Sequence, residues 1–359
     1  MKIAILGAGN AGCAVAADLT LKGHEVTLIK TSHAMHDENF EYLQANNGEM
    51  ILNEFGEIKK ANIHKVTRDL SEITNVKIVI IYIQTNFHEQ LIEKISEFLK
   101  NDQIVLINPG YLSTAYLLKH CSKKIIIAEA ESSFIDGRIM EPGLFRVGFR
   151  NVRNPIGIYP KSRKEEAITV LDKLDERLVY LNSVVEAALH NPNLIVHTVG
   201  SVMSIPRIEK SKGDFCMYHE VYTRDNLCTW KILNSLDKEK MDVLERLGFD
   251  RLSYVNACKY RNSLNDKKDA KEVFLDYASM DTRAKGPTKV DSRYISEDVP
   301  QGLVMLEALG SALNVKTPIA TALIEIASAA LDRDLRLEGR TPEKLGKESL
   351  KKIIDDCNT

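Results

Sequence analysis

The chain has 359 residues, a length that corresponds to about two domains, each with its own hydrophobic core. Hydrophobic residues make up 44% and charged residues 27%, which excludes a disordered chain and is ordinary for a globular protein. The 48 Lys and Arg nearly balance the 50 Asp and Glu, giving a formal net charge of -2. This balance argues against nucleic-acid or membrane partners recognised by bulk charge, but it leaves room for a local basic pocket.

The cysteines and the N-terminal segment bear on location. The six cysteines are scattered, without a C-x-x-C motif or a close cluster with histidine, so neither a zinc site nor a disulfide framework is expected. The apolar stretch at residues 3–17 resembles a signal peptide, but glycines interrupt it and Asp18 follows directly. No apolar run approaches the roughly 18 residues of a membrane span. We therefore expect a cytoplasmic protein without a metal centre.

In the first half of the chain, short apolar runs alternate with helix-like segments. The runs are rich in Ile and Val and lack polar alternation, which is typical of strands buried on both faces of a parallel sheet. With helical stretches at 11–22, 87–100 and 164–174, they predict a doubly wound α/β (Rossmann) domain. The apolar runs are residues 3–6, 26–29, 78–83, 104–107 and 125–128, and 147–159 forms a closing strand region.

From about residue 183 onward, long helical patterns replace the strand-like runs. This change predicts an α/β domain at residues 1–182 and an all-helical domain at residues 183–359. The segment 281–300 carries Gly286 and two prolines and is expected to be an irregular connection. The expected helices are 184–205, 221–236, 238–247, 303–313 and 319–331. A homodimer formed through the helical domain is compatible with this pattern.

The motif G-A-G-N-A-G at residues 7–12 follows the first predicted strand and opens the first predicted helix. This context is typical of a dinucleotide-binding loop. Gly7 permits the tight turn, Gly9 lets the backbone approach a pyrophosphate, and Gly12 lets the helix pack close to the strand. Backbone N–H groups at the helix start, around Asn10 and Ala11, would then bind the phosphates. A glycine turn without a ligand is the alternative.

The end of the second predicted strand indicates which dinucleotide binds. NAD-binding domains usually have an Asp or Glu about 20 residues after the glycine loop, where it bonds the ribose 2′-hydroxyl. Here the strand ends in Lys30, Thr31 and Ser32, without an acid. A cation and two hydroxyl groups suit a 2′-phosphate. We therefore predict NADP(H), with NAD(H) as the alternative. The explanation without a cofactor role is that Lys30 is a solvated lysine at the end of a strand.

Two polar positions in the helical domain are candidates for catalysis. His197 lies in a long apolar stretch, and Asn193, four residues earlier, occupies the same helical face. A lone histidine on such a face is usually a core residue, but a polar pair indicates a cleft. In the charged segment 291–300, Asp298 could orient His197 or simply cap the next helix. Arg293 could clamp a substrate carboxylate. Spacing alone leaves these alternatives open.

The same segments carry a resemblance that extends along nearly the whole chain. The chain resembles the octopine/nopaline (opine) dehydrogenase family, and within it the bacterial carboxyethyl-norvaline dehydrogenase type. The matching segments are the glycine loop, Asn108-Pro109-Gly110, Asn191-Pro192-Asn193 before His197, Arg293-Tyr294, Glu297-Asp298-Val299, Gly302-Leu303-Val304 and residues 338–346.

The resemblance implies a Rossmann domain followed by a helical domain like that of the 6-phosphogluconate dehydrogenase group. It also implies reductive condensation of an α-keto acid, such as pyruvate, with an amino acid through an imine, using NAD(P)H. The catalytic histidine then corresponds to His197 and its carboxylate partner to Asp298, with Arg293 and Asn193 as candidates for substrate binding. Thr198 departs from the family pattern, because many relatives have Pro after the histidine.

Two other functions remain open on the sequence. A ketopantoate-reductase-like or β-hydroxyacid dehydrogenase would reduce a carbonyl without an amine, but these enzymes resemble each other in a catalytic lysine where this chain has His197. A non-catalytic NADP-binding sensor would bind the cofactor and turn over no substrate. For the opine function, the amino-acid pocket is expected among residues 201–222 and near Gly286.

Overall fold

The computed structural model describes residues 1–283 and 285–359, and the chain forms two compact units, Met1–Val184 and Val185–Thr359. The predicted division between residues 182 and 183 lies close to this boundary. Every strand of the described chain belongs to the first unit, and the second unit is helical. The predicted combination of a doubly wound α/β domain and a helical domain is therefore confirmed. No helix within the described ranges is long and apolar enough to cross a membrane.

The first unit contains two sheets. Its strands are β1 (Lys2–Leu6), β2 (Glu25–Ile29), β3 (Glu49–Glu54), β4 (Glu57–Asn62), β5 (Lys65–Thr67), β6 (Ile78–Ile81), β7 (Ile104–Ile107), β8 (Ile126–Ala130), β9 (Ile135–Glu141), β10 (Leu144–Arg150), β11 (Asn154–Tyr159) and β12 (Leu178–Tyr180). The larger sheet has the order β12-β11-β8-β7-β6-β1-β2-β5 and is parallel except that β11 and β12 run in the opposite direction. Its central strands β6 and β7 are buried along their full length, as expected for Ile- and Val-rich strands of a parallel sheet.

The helices of the first unit are α1 (Asn10–Leu21), α2 (Asp37–Ala45), α3 (His88–Ile95), α4 (Thr114–His120) and α5 (Lys164–Leu171). A smaller sheet, β4-β3-β10-β9, packs on α1 and was not predicted. A Cβ at Gly137 of β9 would lie 2.7 Å from the Ala14 side chain, so β9 passes close to the helix. The predicted strand region 147–159 is thus wrong as one element, because β10 belongs to the small sheet and β11 to the large one.

The second unit consists of helices connected by short irregular segments. They are α6 (Val184–Leu189), α7 (Asn193–Val202), α8 (Ile205–Ser211), α9 (Met217–Val221), α10 (Leu227–Arg246), α11 (Tyr254–Asn262), α12 (Ala270–Ala278), α13 (Arg293–Ser296), α14 (Val304–Leu313), α15 (Pro318–Leu331), α16 (Leu335–Glu338), α17 (Pro342–Leu345) and α18 (Lys347–Cys357). A π-helical turn, Val299–Leu303, precedes α14.

The predicted helix at 184–205 is interrupted, and the interruption positions the site. Pro192 has no backbone N–H for a continuing helix, and the Asn191 side chain accepts a hydrogen bond from the Asn193 N–H at 3.0 Å. A new helix, α7, therefore begins at Asn193. The predicted helices at 221–236 and 238–247 are also corrected, because they form the single helix α10.

Candidate active site

The glycine loop joins β1 to α1 in a geometry that excludes side chains at two positions. Gly7 has a φ of +118°, and a Cβ there would lie 2.2 Å from the Tyr82 carbonyl oxygen. A Cβ at Gly12 would lie 1.9 Å from the Gly7 carbonyl oxygen, so α1 begins directly against the loop. A Cβ at Gly9 would have the His36 ring as its nearest neighbour, at 3.9 Å. The loop therefore leaves space at Gly9, where a pyrophosphate would approach the backbone.

Asn10 and Ala11 form the start of α1. The Cys13 N–H donates to the Gly9 carbonyl at 3.0 Å, so the N–H groups before Cys13 are those that helix geometry leaves without an intrahelical acceptor. These groups fit a phosphate. The Asn10 side chain accepts a hydrogen bond from the Ile139 N–H at 2.8 Å, which ties the helix start to β9. The Asn10 backbone, rather than its side chain, is thus the group that fits the cofactor.

At the end of β2, Lys30 is buried and engaged by the loop that follows it. Only 5% of the residue is exposed, and its ammonium donates to the Met35 carbonyl oxygen at 2.6 Å. The same ammonium lies 3.2 Å from the Asp37 carboxylate. Sequence reasoning found no acid at this strand end, but the loop brings Asp37 back to it. Lys30 therefore neutralises an acid that the sequence places seven residues away.

Arg68, which follows β5, adds a second cation to this group. Its guanidinium donates to the Asp37 carboxylate at 2.9 Å and to the Ser32 carbonyl oxygen at 2.7 Å, and it lies 4.5 Å above the Phe40 ring. The hydrogen bond from Arg68 lowers the pKa of Asp37 below its usual value. Two cations thus face one carboxylate beside the half-buried Thr31 and the exposed Ser32.

In the second unit, His197 and Asp298 form a buried hydrogen-bonded pair although they are 101 residues apart. His197 Nδ1 lies 2.8 Å from Asp298 Oδ2, and the two residues are 7% and 1% exposed. With the carboxylate ionised, Nδ1 carries the proton and Nε2 is the atom that exchanges a proton with a substrate. This is the arrangement of a histidine general acid–base oriented by a carboxylate.

Two tyrosines fix the imidazole ring from other directions. The Tyr294 ring stacks on His197, with centroids 3.8 Å apart and an angle of 8° between the ring planes. The Tyr218 ring meets His197 edge to face at 6.5 Å. Sequence reasoning assigned no role to Tyr294 and placed Tyr218 only in the expected amino-acid pocket, as part of an apolar wall or of the core. Tyr294 had one signal, its position beside Arg293 in a matching segment, whereas Tyr218 reaches the site only through helix packing.

The two predicted substrate-binding residues lie near this pair. Asn193 is the first residue of α7 and half-buried, one helical turn before His197 on the same face. Arg293 begins α13, directly before Tyr294. Its side chain is 54% exposed, and its Nε lies 3.0 Å from the carboxylate of Glu297. Asn193 therefore lies on the helix that carries His197. Arg293 lies on the helix that carries Tyr294, whose ring stacks on His197.

Arg340 supports the turn that follows Asp298 and was not assigned a role from the sequence. It is fully buried, and its Nε donates to the Gln301 side chain at 2.8 Å. Its backbone N–H donates to the Pro300 carbonyl oxygen at 3.0 Å. Since a buried guanidinium is tolerated only with hydrogen-bond partners, these contacts couple the position of Arg340 to that of the π-helical turn.

Comparison with known families divides the chain in the same way. The model of the NAD/NADP octopine/nopaline dehydrogenase alpha-helical domain matches residues 180–331, which include both His197 and Asp298. The model of ketopantoate reductase PanE/ApbA matches residues 3–130, which include the glycine loop.

Individual relatives span the whole chain. An opine dehydrogenase from Arthrobacter sp. (strain 1C) is 26% identical over 354 residues, covering 97% of this chain and 95% of the relative. A vitopine synthase from Allorhizobium ampelinum is 22% identical over 370 residues and covers 99% of both chains.

Solved structures show the same fold at low sequence identity. Octopine dehydrogenase with NADH and L-arginine has a TM-score of 0.75 at 16% identity, covering 99% of this chain and 98% of that one. Yersinopine dehydrogenase with NADP+ has a TM-score of 0.73 at 15% identity, covering 100% and 99%. A ketopantoate reductase from Ralstonia eutropha JMP134 has a TM-score of 0.64 at 17% identity, covering 92% and 99%.

Proposed function

We propose that this chain, an NAD(P)-dependent oxidoreductase acting on CH–NH bonds, is a member of the octopine/nopaline (opine) dehydrogenase family and makes an opine with NADP(H). The substrates are an α-keto acid such as pyruvate and an amino acid, joined through an imine. The observation that carries the proposal is the buried contact between His197 and Asp298. It lies in the unit whose sequence matches the opine dehydrogenase helical domain.

In this mechanism, His197 moves protons and Asp298 holds it in place. Attack of the amino group on the keto carbon and loss of water give the imine, and the departing oxygen needs a proton that the His197 imidazolium can donate. The reduced nicotinamide, when bound, supplies a hydride to the imine carbon. Asp298 accepts the Nδ1–H bond in every step, so the proton is exchanged at Nε2. Stacking on Tyr294 keeps the ring in the required plane.

The preference for NADP(H) rests on the cations at the end of β2. Lys30 and Arg68 face the single carboxylate of Asp37, beside the hydroxyl groups of Thr31 and Ser32. A 2′-phosphate would add negative charge to a group in which cations exceed carboxylates, so it would be attracted there. Lys30 acts mainly by neutralising Asp37, and the partly exposed Arg68 contacts the phosphate. The glycine loop would hold the pyrophosphate.

The relatives support the substrate classes but differ in cofactor. Octopine dehydrogenase was solved with NADH and L-arginine, and also with NADH and pyruvate, whereas yersinopine dehydrogenase was solved with NADP+. The family therefore accommodates both dinucleotides on this fold. The choice in this chain depends on its own residues at the end of β2.

Carbonyl reduction without an amine is the second candidate function. The ketopantoate reductase model favours it, but that match is confined to residues 3–130, which bear on cofactor binding. The residues that would handle the substrate lie beyond that range, in the part matched by the opine dehydrogenase model.

The test is cofactor oxidation by purified protein with NADPH and pyruvate, with and without a mixture of the twenty amino acids. We expect oxidation to require both pyruvate and an amino acid, and to be faster with NADPH than with NADH. Oxidation with pyruvate alone would instead indicate a keto-acid reductase. Tight NADPH binding without oxidation across a panel of keto acids would indicate a sensor.

A cytoplasmic location and a homodimer formed through the helical unit remain predictions. Light scattering of the purified chain tests the dimer, and fractionation of the source cells tests the location.

A further inference from the structure

Three contacts fix the path of the loop that connects β2 to α2. The Lys30 ammonium donates to the Met35 carbonyl oxygen at 2.6 Å, which draws the end of the loop back to the strand. The Arg68 guanidinium donates to the Ser32 carbonyl oxygen at 2.7 Å. The same guanidinium donates at 2.9 Å to the carboxylate of Asp37, the first residue of α2. The loop is therefore held both at its beginning and at its end.

His36 ends this loop with a strained backbone. Its φ of 61° and ψ of 29° lie in the left-handed region, which few residues other than glycine adopt. The His36 carbonyl oxygen accepts a hydrogen bond from the Phe40 N–H at 3.1 Å, so the residue also belongs to the first turn of α2. Strain of this kind persists where surrounding contacts impose it, and it is common beside ligands. The backbone conformation thus directs the His36 side chain.

The His36 side chain is directed toward the glycine loop. A Cβ at Gly9 would have Cδ2 of the half-buried His36 ring as its nearest neighbour, at 3.9 Å. Gly9 directly precedes α1, whose first N–H groups have no intrahelical acceptor. A phosphate bound by those N–H groups would lie beside the imidazole. His36 and the start of α1 therefore border the same opening from two sides.

The groups next to His36 favour a neutral imidazole in the protein without cofactor. Desolvation, together with the positive charge of Lys30, lowers the pKa of His36 below its usual value. On α1, the Cys13 thiol is neutral because burial raises its pKa to about 12. The imidazole is therefore poised to gain a proton when negative charge is added beside it.

The acids at the start of α2 do not supply that additional charge. The Asp37 carboxylate lies 3.2 Å from Lys30 and 2.9 Å from Arg68, and 3.4 Å from Nδ1 of the exposed His33. The hydrogen bond from Arg68 lowers the pKa of Asp37, so this carboxylate is already ionised at neutral pH. Glu38 is exposed, where water and salt screen its charge. A bound phosphate would thus be a new negative charge for the imidazole.

A dinucleotide brings the two ionised phosphates of its diphosphate to the start of α1. Their charge favours the imidazolium, so binding would raise the pKa of His36. A proton taken up on binding makes the affinity rise as the pH falls. The gain is complete below the pKa of the protein alone and is lost above the pKa of the complex. A difference of one between these two pKa values corresponds to about a tenfold change in Kd.

We propose that His36 binds the diphosphate of the dinucleotide and that its protonation strengthens this binding. The inference rests on the cofactor site at the glycine loop, where it adds a side chain to the backbone groups of α1. It applies to NADH and NADPH alike, because both carry the diphosphate. Arg68, in contrast, is assigned to the 2′-phosphate, which only NADPH carries.

The test measures the Kd of NADH by fluorescence titration between pH 6.0 and 8.5. NADH is the probe because its phosphates stay ionised across this range, whereas the 2′-phosphate of NADPH titrates near pH 6. We expect the wild type to bind NADH about three- to tenfold more tightly at pH 6.0 than at pH 8.5. His36→Asn, whose new side chain tolerates the left-handed backbone, should have a weaker affinity that does not change with pH.

Two further variants make the result specific to His36. His36→Lys carries its charge throughout the range, so it should bind NADH at pH 8.5 about as tightly as the wild type does at pH 6.0. His33→Asn is the matched control, because it removes the exposed histidine of the same loop, near Asp37. This variant should keep the wild-type pH dependence. Melting temperatures establish that the variants are folded.

A measurement on the wild type requires no substitution at the site. The ring C–H signals of the histidines are titrated by NMR with and without NAD+, and the His36 signal is assigned as the one missing from His36→Asn. We expect NAD+ to raise the pKa of His36 by about 0.5 to 1, in agreement with the change in Kd. A pKa that NAD+ leaves unchanged would overturn the proposal.

The outcomes separate the role of His36 from the cofactor site itself. A Kd of the wild type that does not change with pH, or a pH dependence that persists in His36→Asn, would overturn the role of His36 and leave the cofactor site in place. A pH dependence lost in His33→Asn would have the same consequence. Failure of the wild type to bind NADH or NADPH at any pH would overturn the cofactor site and the role of His36 with it.

Discussion

The two units assemble their functional groups in different ways. In the first unit, the residues that fit the cofactor phosphates are consecutive, because one strand–turn–helix connection places residues 7–12 at the start of α1. In the second unit, His197 comes from α7 and Asp298 from the turn before α14, 101 residues later. The first site is therefore a property of one local connection, whereas the second exists only when several helices pack correctly.

This difference means that cofactor binding and proton transfer should be separable by mutation. Groups that fit the dinucleotide lie in the first unit, and the proposed acid–base pair of His197 and Asp298 lies in the second. A substitution in one site should change one function and leave the other measurable. The substitutions below test this separation, beginning with the largest expected effect.

Replacement of His197 by Gln should abolish most catalysis without affecting cofactor binding. Loss of a general acid–base lowers turnover by about 10²- to 10⁴-fold, while the NADPH Kd should stay within about twofold because the glycine loop is untouched. Steady-state kcat and fluorescence titration of NADPH measure the two effects. Unchanged turnover would remove His197 from the mechanism, and a large loss of NADPH affinity would contradict the separation of the two sites.

The glycine loop allows the opposite experiment. Gly9→Ala should keep the fold, since its Cβ has no neighbour closer than 3.9 Å, but weaken NADPH binding about tenfold or more by occupying the space of the phosphate. Gly12→Ala is the structural counterpart, because its Cβ would lie 1.9 Å from a backbone oxygen and should destabilise the protein by about 1–3 kcal/mol. Melting temperatures and NADPH titrations distinguish the two. Wild-type affinity in Gly9→Ala would argue against a phosphate at this loop.

Arg68→Gln sharpens the cofactor assignment within the first unit. Loss of a charge-assisted contact should weaken NADPH binding by about tenfold and change NADH binding much less, since NADH lacks the 2′-phosphate. Arg163→Gln is the matched control, because Arg163 pairs with Glu166 and Asp102 on the same unit. Titrations with both dinucleotides provide the comparison. Equal losses for NADPH and NADH would exclude Arg68 as the phosphate contact.

The smallest effect concerns the stability of the helical unit. Burial, together with the charges of Lys240 and Arg261, lowers the pKa of His190 well below its usual value. Below about pH 6.5 the unfolded chain binds a proton at His190 that the native chain does not bind. The free energy of unfolding therefore keeps this contribution above that pH and falls by up to about 1.4 kcal/mol per pH unit below it. His190→Gln should remove this part of the slope. Urea denaturation between pH 7.5 and 5 measures it, and an identical slope in wild type and variant would contradict the prediction.

The same contrast explains what could be predicted from the sequence. The Ile- and Val-rich runs at β1, β2, β6 and β7 were predicted because strands covered on both faces are continuously apolar. Strands β3 and β4 were not predicted, since their charged residues leave little periodic signal, as at Glu57 and Lys59. The break before α7 was missed although Pro192 is a local signal for it.

Site residues were predictable where they lie in a contiguous motif or in a segment that resembles the opine dehydrogenase family. His197 and Asp298 were named because each lies in such a segment, although spacing alone could not bring them together. Asp37 and Arg68 were missed because they reach Lys30 only through the fold of a loop and the pairing of β5 with β2. The contact between Tyr218 and His197 likewise depends on tertiary packing, for which the sequence carries no local signal.

The most direct test of the central claim is the identity of the product that the protein forms from isotopically labelled pyruvate, NADPH and amino acids. We predict a secondary amine in which the labelled three-carbon unit is bound to the amino-acid nitrogen, detected by mass spectrometry and formed about 10²- to 10⁴-fold more slowly by the His197→Gln variant. Labelled lactate as the sole product, formed equally without amino acids, would contradict the assignment of opine chemistry to the pair of His197 and Asp298.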